Sequence, residues 1–351
     1  MKVGISLLTL VPGEVGGAEV TALGLASGLH QVGSLEYAAL VPPVAEGAGS
    51  GLPERVVREY RRARSIPGRA LAMALASLDQ RRIRRHYADL DVVHYPLTIR
   101  LPSVRIPTAV TVHDVQHLDH PELFSRAELL YRARTHEASA RAAEVVIVPT
   151  QFVRRRATEH LGLDPERVRV IPWGLDHSRF TPGEAEREPF LLYPARPWPH
   201  KNHERLFDAF ARLRQERPEL RLVLTGGGHE GRRVPDGVAV AGLVSSDELV
   251  SLYRRAACMV FPSLYEGFGQ PPLEAMACGC PVAASNIAAV AEACGDAAAL
   301  FDPNDPADMA AVVAAVLDAP ERWIASGLAH ACRFTWHETA RLHDRVYSAM
   351  V

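Results

Sequence analysis

Lysine is nearly absent from this chain of 351 residues: of 39 basic side chains, only Lys2 and Lys201 are lysine. A general preference for arginine accounts for the bias. It also makes Lys201, in "RPWPHKNH", the more informative, because a compact ammonium stands where a forked guanidinium is used elsewhere. No apolar run approaches the length of a membrane span. A net charge of −2 removes any global electrostatic case for nucleic acid. Cysteines number five, an odd count without a framework, which points to reduced thiols and a cytoplasmic setting. Cys278 and Cys280 form C-x-C, but no second pair follows at zinc-site spacing. The opening "MKVGISLLTLVPG" lacks the full layout of a signal segment and runs into Pro12 and Gly13, so it reads as a first strand.

What is present is globular. The apolar fraction is 48% and the charged fraction 23%, in a chain long enough for two domains. Strand-like runs alternate with helical patterns: "KVGISLL", "DVVHYP", "TAVTVHD", "EVVIVPT" and "RVRVIPW", then "FLLYPAR", "RLVLTGG", "VAVAGLV", "CMVFPS" and "PVAAS". Alternation at this spacing predicts parallel sheets covered by helices. The polar, proline-bearing "DHSRFTPGEAEREP" at 176–189 reads as a linker, with a fresh strand from Phe190. The expected class is therefore α/β, with two Rossmann-like domains at 1–180 and 181–335 facing a cleft. "TWHE", Thr335 to Glu338, fits a capping box that opens a last helix at 336–351, expected to pack back on the first domain.

The stretch "SLYEGFGQPPLEAMACGCPVAAS" places Glu266 in a glycine-rich loop and Glu274 just past Pro271 and Pro272. Prolines suit the first helical positions, and Gly279 suits the helix end. The unit reads strand, glycine loop, short helix, strand, which puts the loop at the carboxyl edge of a parallel sheet. Gly267 and Gly269 let backbone N–H groups approach a ligand, and the helix N-terminus favours phosphate. Phosphate does not attract carboxylates, so the two glutamates want another partner. Vicinal hydroxyls of a ribose or hexose fit, and the whole suits a nucleotide sugar. The plain alternative is that Glu274 complements the helix dipole and Glu266 is a solvated turn residue.

Other loops are weaker signals. "PGEVGGAE" at 12–19 is no dinucleotide fingerprint; Gly16 and Gly17 either allow a close approach to diphosphate or acceptor, or form a plain turn. "TGGGHEG" at 225–231 matches G-x-G-x-x-G after a strand, the best case for a nicotinamide enzyme. Pro235 and Gly237 then follow where that fingerprint demands a helix. His113, His117 and His120 of "HDVQHLDH" would suit a metal only if helical, yet His113 ends a strand and Pro121 follows His120. "DLD" at 89–91 precedes a strand and reads as its cap. No nucleophile and base pair stands out.

These motifs in this order resemble the retaining nucleotide-sugar glycosyltransferases of family 4, of GT-B fold. The resemblance is carried by "EGFGQPPLEAMACGCPV", "PARPWPHKNHERLFDAFA", "LVLTGGG", "GLVSSDELVSLYRRA" and "FTWHETA". In the first half it is carried by "GGAEV", "TVHDVQHLDHPELF" and "VIVPTQFVRR". It covers nearly the whole chain and is strongest toward the mannosyltransferase B branch of O-antigen synthesis, through "HDVQH" and "WPHKNH". It implies that Glu266 contacts donor-sugar hydroxyls, that Glu274 binds the ribose diol, and that His113 hydrogen-bonds the donor sugar. Arg196 and Lys201 would neutralise the diphosphate. Gly16, Gly17, Gly226, Val244, Gly267, Phe268, Gly269 and Gln270 would line the donor. The first domain would serve the acceptor. No cofactor and no metal are expected, only a nucleotide-sugar donor, with GDP-mannose as lead, and a hydroxyl acceptor. The alternatives are a UDP- or other sugar donor, a nucleotide-sugar epimerase of the same fold, or a binding module without catalysis.

The stretch 54–85 holds ten arginines, Arg55, Arg58, Arg61, Arg62, Arg64, Arg69, Arg81, Arg82, Arg84 and Arg85, with Leu71, Leu75 and Leu78 at helical spacing. It reads either as a packed helix with solvated arginines or as a segment lying on an anionic membrane face. The expected location is the cytoplasm, with the inner membrane face as the second reading.

Overall fold

The computed structural model describes residues 1–14, 16–60 and 80–351. The chain forms two units: Met1–Gly174 together with Thr335–Val351, and Leu175–Phe334. In the first unit the strands are β1 (Lys2–Ser6), β2 (Glu36–Val41), β3 (Glu54–Val56), β4 (Val92–Tyr95), β5 (Thr108–Thr111), β6 (Val145–Val148) and β7 (Val168–Val170). They lie in the order β3-β2-β1-β4-β5-β6-β7, and every pairing is parallel. In the second unit they are β8 (Glu188–Pro194), β9 (Arg221–Thr225), β10 (Val238–Gly242), β11 (Ala256–Phe261), β12 (Val282–Ser285) and β13 (Ala299–Phe301). Their order is β10-β9-β8-β11-β12-β13, again all parallel. Both units are thus doubly wound α/β layers, as expected.

The period-2 geometry of a strand explains why these runs are apolar throughout. Ala39 and Val41 belong to one buried cluster while Leu40 belongs to another, and Val92/Val93, Ala109/Val110 and Ile147/Val146 divide in the same way. Both faces of the first sheet are therefore covered, as parallel crossovers require. Three strands escape the sequence reading. "EYAALV" is rich in alanine, which carries little strand propensity, and "ERV" and "ALF" are three residues each. Strand β8 starts at Glu188 rather than Phe190, because Glu188 pairs with Ala256 of β11; its carboxylate meets Arg221 and Arg255.

The last helix runs Trp336–Ser348 and packs on the helix Gly17–Val32 of the same unit. Thr335 caps it, accepting from the Glu338 N–H at 3.1 Å, while the Glu338 carboxylate turns to Arg341 and Arg345. Close packing depends on missing side chains: a Cβ at Gly24 would stand 2.2 Å from the Trp336 ring, and one at Gly28 2.5 Å from the Trp336 carbonyl oxygen. Beneath lies a buried polar clasp. Tyr347 Oη lies 2.6 Å from His94 Nδ1, and His94 Nε2 lies 2.8 Å from Thr111 Oγ1. Asp344 accepts from the Ser34 N–H and hydroxyl at 2.9 and 2.6 Å and from the Tyr37 hydroxyl. Burial drives the pKa of His94 well below the usual imidazole value, so the clasp is built on a neutral ring.

"DLD" ties strands together. Asp91 accepts from the Lys2 N–H at 2.7 Å, and Asp89 pairs with both guanidinium nitrogens of Arg55. Much of the basic stretch, including Arg61, Arg62, Arg64, Arg69, Leu71, Leu75 and Leu78, lies outside the described residues. Within it, Arg55 is committed to Asp89, and Arg84 Nε donates to the Ser103 carbonyl at 2.6 Å. Among the described residues, no helix is long and apolar enough to cross a membrane.

Helix propensity alone would make Gly28→Ala stabilising by about 1 kcal/mol. The clash with the Trp336 carbonyl reverses the sign, and a net loss of about 1–3 kcal/mol is expected in chemical denaturation of the variant. A higher midpoint than wild type would show that the two helices are not this close.

Candidate functional site

In a parallel sheet whose strand order reverses, the loops part at the reversal and leave a crevice at the carboxyl ends. In the second unit that point lies between β8 and β11. The loop after β8 carries Arg196 and Lys201, and the loop after β11 carries Glu266. The structure brings the last two together: Lys201 Nζ lies 2.6 Å from Glu266 Oε1, with the side chains only 14% and 15% exposed. The ammonium also stands 5.6 Å from the centre of the Phe261 ring at the end of β11. Its backbone is fixed from below, since the Tyr193 hydroxyl donates to the Lys201 carbonyl at 2.8 Å and the Leu264 N–H donates to His200 at 2.8 Å. Arg196 sits at the same strand tip but is exposed, its guanidinium 5.7 Å over the Trp198 ring.

Asn202 is the hinge of this arrangement and was missed in the sequence, although it stands in the quoted "HKNH". It adopts left-handed backbone geometry, φ 60°, between the turn Pro199–Lys201 and the helix His203–Glu216. Its buried amide donates to Pro262 at 3.0 Å and Pro303 at 2.7 Å, so it binds the lysine loop to the ends of β11 and β13. The available signal was asparagine's tolerance of that conformation. His229 was missed too: its Nε2 donates to the Ala195 carbonyl at 2.8 Å, under Arg196.

Gly226 lies at the tip of β9 with φ 108°, where a Cβ would stand 3.1 Å from the Ala195 carbonyl carbon. No helix follows β9; the loop runs on to β10, which removes the dinucleotide fingerprint. Val244 sits half-buried between β10 and the helix Ser246–Arg255. The loop Gly267–Phe268–Gly269 leads into the helix Gln270–Ala277, with Gly269 as N-cap at φ 100° and the two prolines in the first turn. The Phe268 side chain is buried against Phe334, ring centres 6.0 Å apart, so the loop is anchored by its side chain and presents backbone. Glu274, one turn along, accepts from the Tyr253 hydroxyl at 3.2 Å. Burial raises its carboxyl to about 7, an effect only partly offset by that hydrogen bond.

The first unit holds the other candidates. Gly16, φ 64°, is the N-cap of Gly17–Val32, and the Glu19 carboxylate accepts from the Gly13 N–H at 3.0 Å. His113, just past β5, shares a hydrogen bond of 2.8 Å through Nε2 with the Pro96 carbonyl, which makes Nε2 the donor and leaves Nδ1 an acceptor. Its ring packs edge-on against Trp173, and burial lowers its pKa. His113 Nδ1, Gln116 Nε2 and both nitrogens of His117 are buried without hydrogen-bond partners. His136, on a π-turn at Ala133–Glu137, lies 6.4 Å from His117 ring to ring. His120 turns instead to Glu122. Among the described residues, no three His, Cys, Asp or Glu side chains are grouped to hold a metal.

Residues 15–179 match the model "Glycosyltransferase Family 4", and residues 176–327 match "Glycosyl transferases group 1". An O-antigen chain mannosyltransferase B from Escherichia coli is 30% identical over 273 residues, covering 70% of this chain and 71% of that protein. The chain belongs to the family 4, group 1 glycosyltransferases. A D-inositol 3-phosphate glycosyltransferase from Geodermatophilus obscurus is 32% identical over 276 residues, 70% of this chain; the glycosyltransferase chain spans 61% of that relative's length. The Anabaena protein HepE, solved with UDP and glucose, superposes with a TM-score of 0.71 over 99% of this chain and 100% of its own. At 17% identity that likeness speaks for the fold alone, which is the GT-B class expected of this glycosyltransferase.

In this glycosyltransferase, Asn202→Ala is expected to cost about 2–4 kcal/mol, from two abandoned buried carbonyls and left-handed strain. Asn202→Gly should recover about 1 kcal/mol by removing the strain alone. Equal denaturation midpoints for the two variants would show that the backbone conformation carries no cost.

Proposed function

We propose that this chain transfers a hexose from a nucleotide sugar to a hydroxyl of a glycan, glycolipid or small-molecule acceptor, with retention at the anomeric carbon and without a metal. Mannose is the lead sugar and GDP-mannose the lead donor. The observation that carries the reading is the pairing of Lys201 with Glu266 at the strand-order reversal, with Glu274 on the adjacent helix. One cation for a diphosphate and two carboxylates for two diols match the three polar parts of such a donor. The relatives named above supply the transferase class, and the mannosyltransferase among them supports the sugar.

In the reaction, the C1–O bond to the diphosphate breaks and the acceptor oxygen bonds to C1 from the same face. The acceptor's proton passes to a diphosphate oxygen. The sugar gains positive charge while the leaving oxygen gains negative charge. Lys201 and Arg196 face that negative charge, which is why no metal is called for. Glu266 holds sugar hydroxyls, Glu274 the ribose, and the N–H groups of Phe268 and Gly269 line the loop between them. Gly226, Val244, Gly267 and Gln270 complete the donor contacts on the second unit. On the first unit, His113 Nδ1 and Gln116 Nε2, which lack hydrogen-bond partners, suit hydroxyl groups, while His117 Nε2 faces Glu137 at 3.7 Å. The second reading is a UDP-sugar donor; HepE, which shares the fold, was solved with UDP.

Melting-temperature shifts with GDP, UDP, ADP and dTDP separate the donors: stabilisation by GDP above the others supports the lead, and by UDP the second reading. Lys201→Ala should lower turnover at saturating donor by about 10²–10³-fold with the fold intact, in an assay that chelator leaves unchanged. Near-wild-type turnover would remove Lys201 from the reaction.

Glu274 makes nucleotide affinity pH-dependent. A diol donates, so it binds the ionised carboxylate. The free protein's carboxyl, at about 7, is mostly protonated at pH 6. Affinity for the free nucleotide is expected to rise with pH up to about 7 and level off above it, by up to about tenfold per unit below 7. Glu274→Gln should bind more weakly at pH 8 and keep only the pH dependence of the nucleotide's own phosphate, so that the two profiles converge toward pH 6. Parallel profiles for wild type and variant would place the ribose elsewhere.

A further inference from the structure

The Lys201–Glu266 contact sets a problem for any anionic ligand. At 2.6 Å the carboxylate already occupies the ammonium that a diphosphate would seek, and both groups are more than four-fifths covered. The lysine's backbone is held in place, so only its flexible side chain can shift between partners. Its carbonyl accepts from Tyr193, the Asn202 side-chain amide donates hydrogen bonds to the Pro262 and Pro303 carbonyls, and Phe261 flanks the charge. A diphosphate must therefore either draw Lys201 away and leave Glu266 uncompensated, or share the ammonium with a carboxylate of its own sign. A covered carboxylate stripped of its cation needs new hydrogen-bond donors, because an unpaired charge out of water is costly.

We propose that Glu266 makes the site discriminate between an intact nucleotide sugar and the bare nucleoside diphosphate that remains after transfer. The proposal rests on the donor reading above. A nucleotide sugar brings vicinal hydroxyls that donate to Glu266 and so release Lys201 to the phosphates. Sugar recognition and phosphate binding are thereby one coupled event. A bare diphosphate brings no such donors, and Glu266 competes with it for Lys201. Once the sugar has left, the carboxylate returns to the ammonium and loosens the product. The same residue that helps hold the substrate helps expel what remains of it.

The consequence runs against the usual outcome of deleting a site residue. Glu266→Gln keeps the shape and removes the competing charge. It should bind the responsive nucleoside diphosphate about tenfold more tightly than wild type, the scale of a partly covered charge pair. It should bind the corresponding nucleotide sugar no more tightly, and turn over slowly. Titration calorimetry with GDP, GDP-mannose, UDP and UDP-glucose reads both affinities. In a Lys201→Gln background the same Glu266→Gln change should no longer tighten the diphosphate, because the contested cation is gone. Melting temperatures of all variants verify folding. Unchanged or weaker diphosphate binding by Glu266→Gln overturns the proposal while leaving the donor reading intact. Equal tightening with and without Lys201 also overturns it, by assigning the effect to general charge. If neither nucleotides nor nucleotide sugars bind wild type, the donor reading fails and this proposal with it.

Discussion

A sheet of parallel strands has to bury both faces, and that requirement shapes everything else here. Strands of this kind are mostly apolar along their central residues, and their charged groups stand mainly at strand ends. Polar chemistry is pushed to the carboxyl edge, where the loops leave. The strand order of the second unit reverses between β8 and β11, and the charged groups gather at that reversal. Lys201 and Glu266 are 65 residues apart in the chain, yet the adjacency of their two strands makes them neighbours. The site is thus less a set of residues placed individually than the meeting of two strand ends.

The two glutamates that frame the glycine loop live in unlike surroundings. Glu266 is neutralised by a lysine at contact distance. Glu274 has a hydroxyl for company, and burial holds its carboxyl near 7, so its charge is conditional at ordinary pH. Identical side chains eight residues apart are given different chemistry by what lies around them, a distinction that no spacing rule contains.

Much of this was legible in the sequence where local rules act alone. The double proline, the glycine stop and the threonine cap each name their own helix end, and the structure places them there; the capping box read at Thr335–Glu338 is only half made, because the Glu338 carboxylate turns to Arg341 and Arg345. The alternation of apolar runs gave the parallel class. Three strands did not announce themselves: "EYAALV" because alanine carries little strand propensity, and "ERV" and "ALF" because they are defined by their neighbours' pairing rather than by their own propensity. The lysine could be singled out by its rarity, but not the carboxylate it touches, since that contact depends on strand order. Asn202 escaped because its role lies in two carbonyls, 60 and 101 residues away. The basic stretch from 54 to 85 lies largely outside the described residues, so its two readings stand as before.

The first unit is written in two pieces, with Leu175–Phe334 inserted between them. Its seven strands are complete once residue 170 has been made, but the helix that covers one face of the sheet begins only at Trp336. As the chain leaves the ribosome, the groove around Gly24 and Gly28 and the imidazole of His94 wait for a partner that is more than 160 residues from emerging. At about 5–20 residues per second, that wait lasts on the order of ten seconds or more. The inserted unit has its whole sequence together and can close during that interval. The order of manufacture is therefore the reverse of the order of numbering: the second unit is the first that can be finished, and the first is sealed by the final helix.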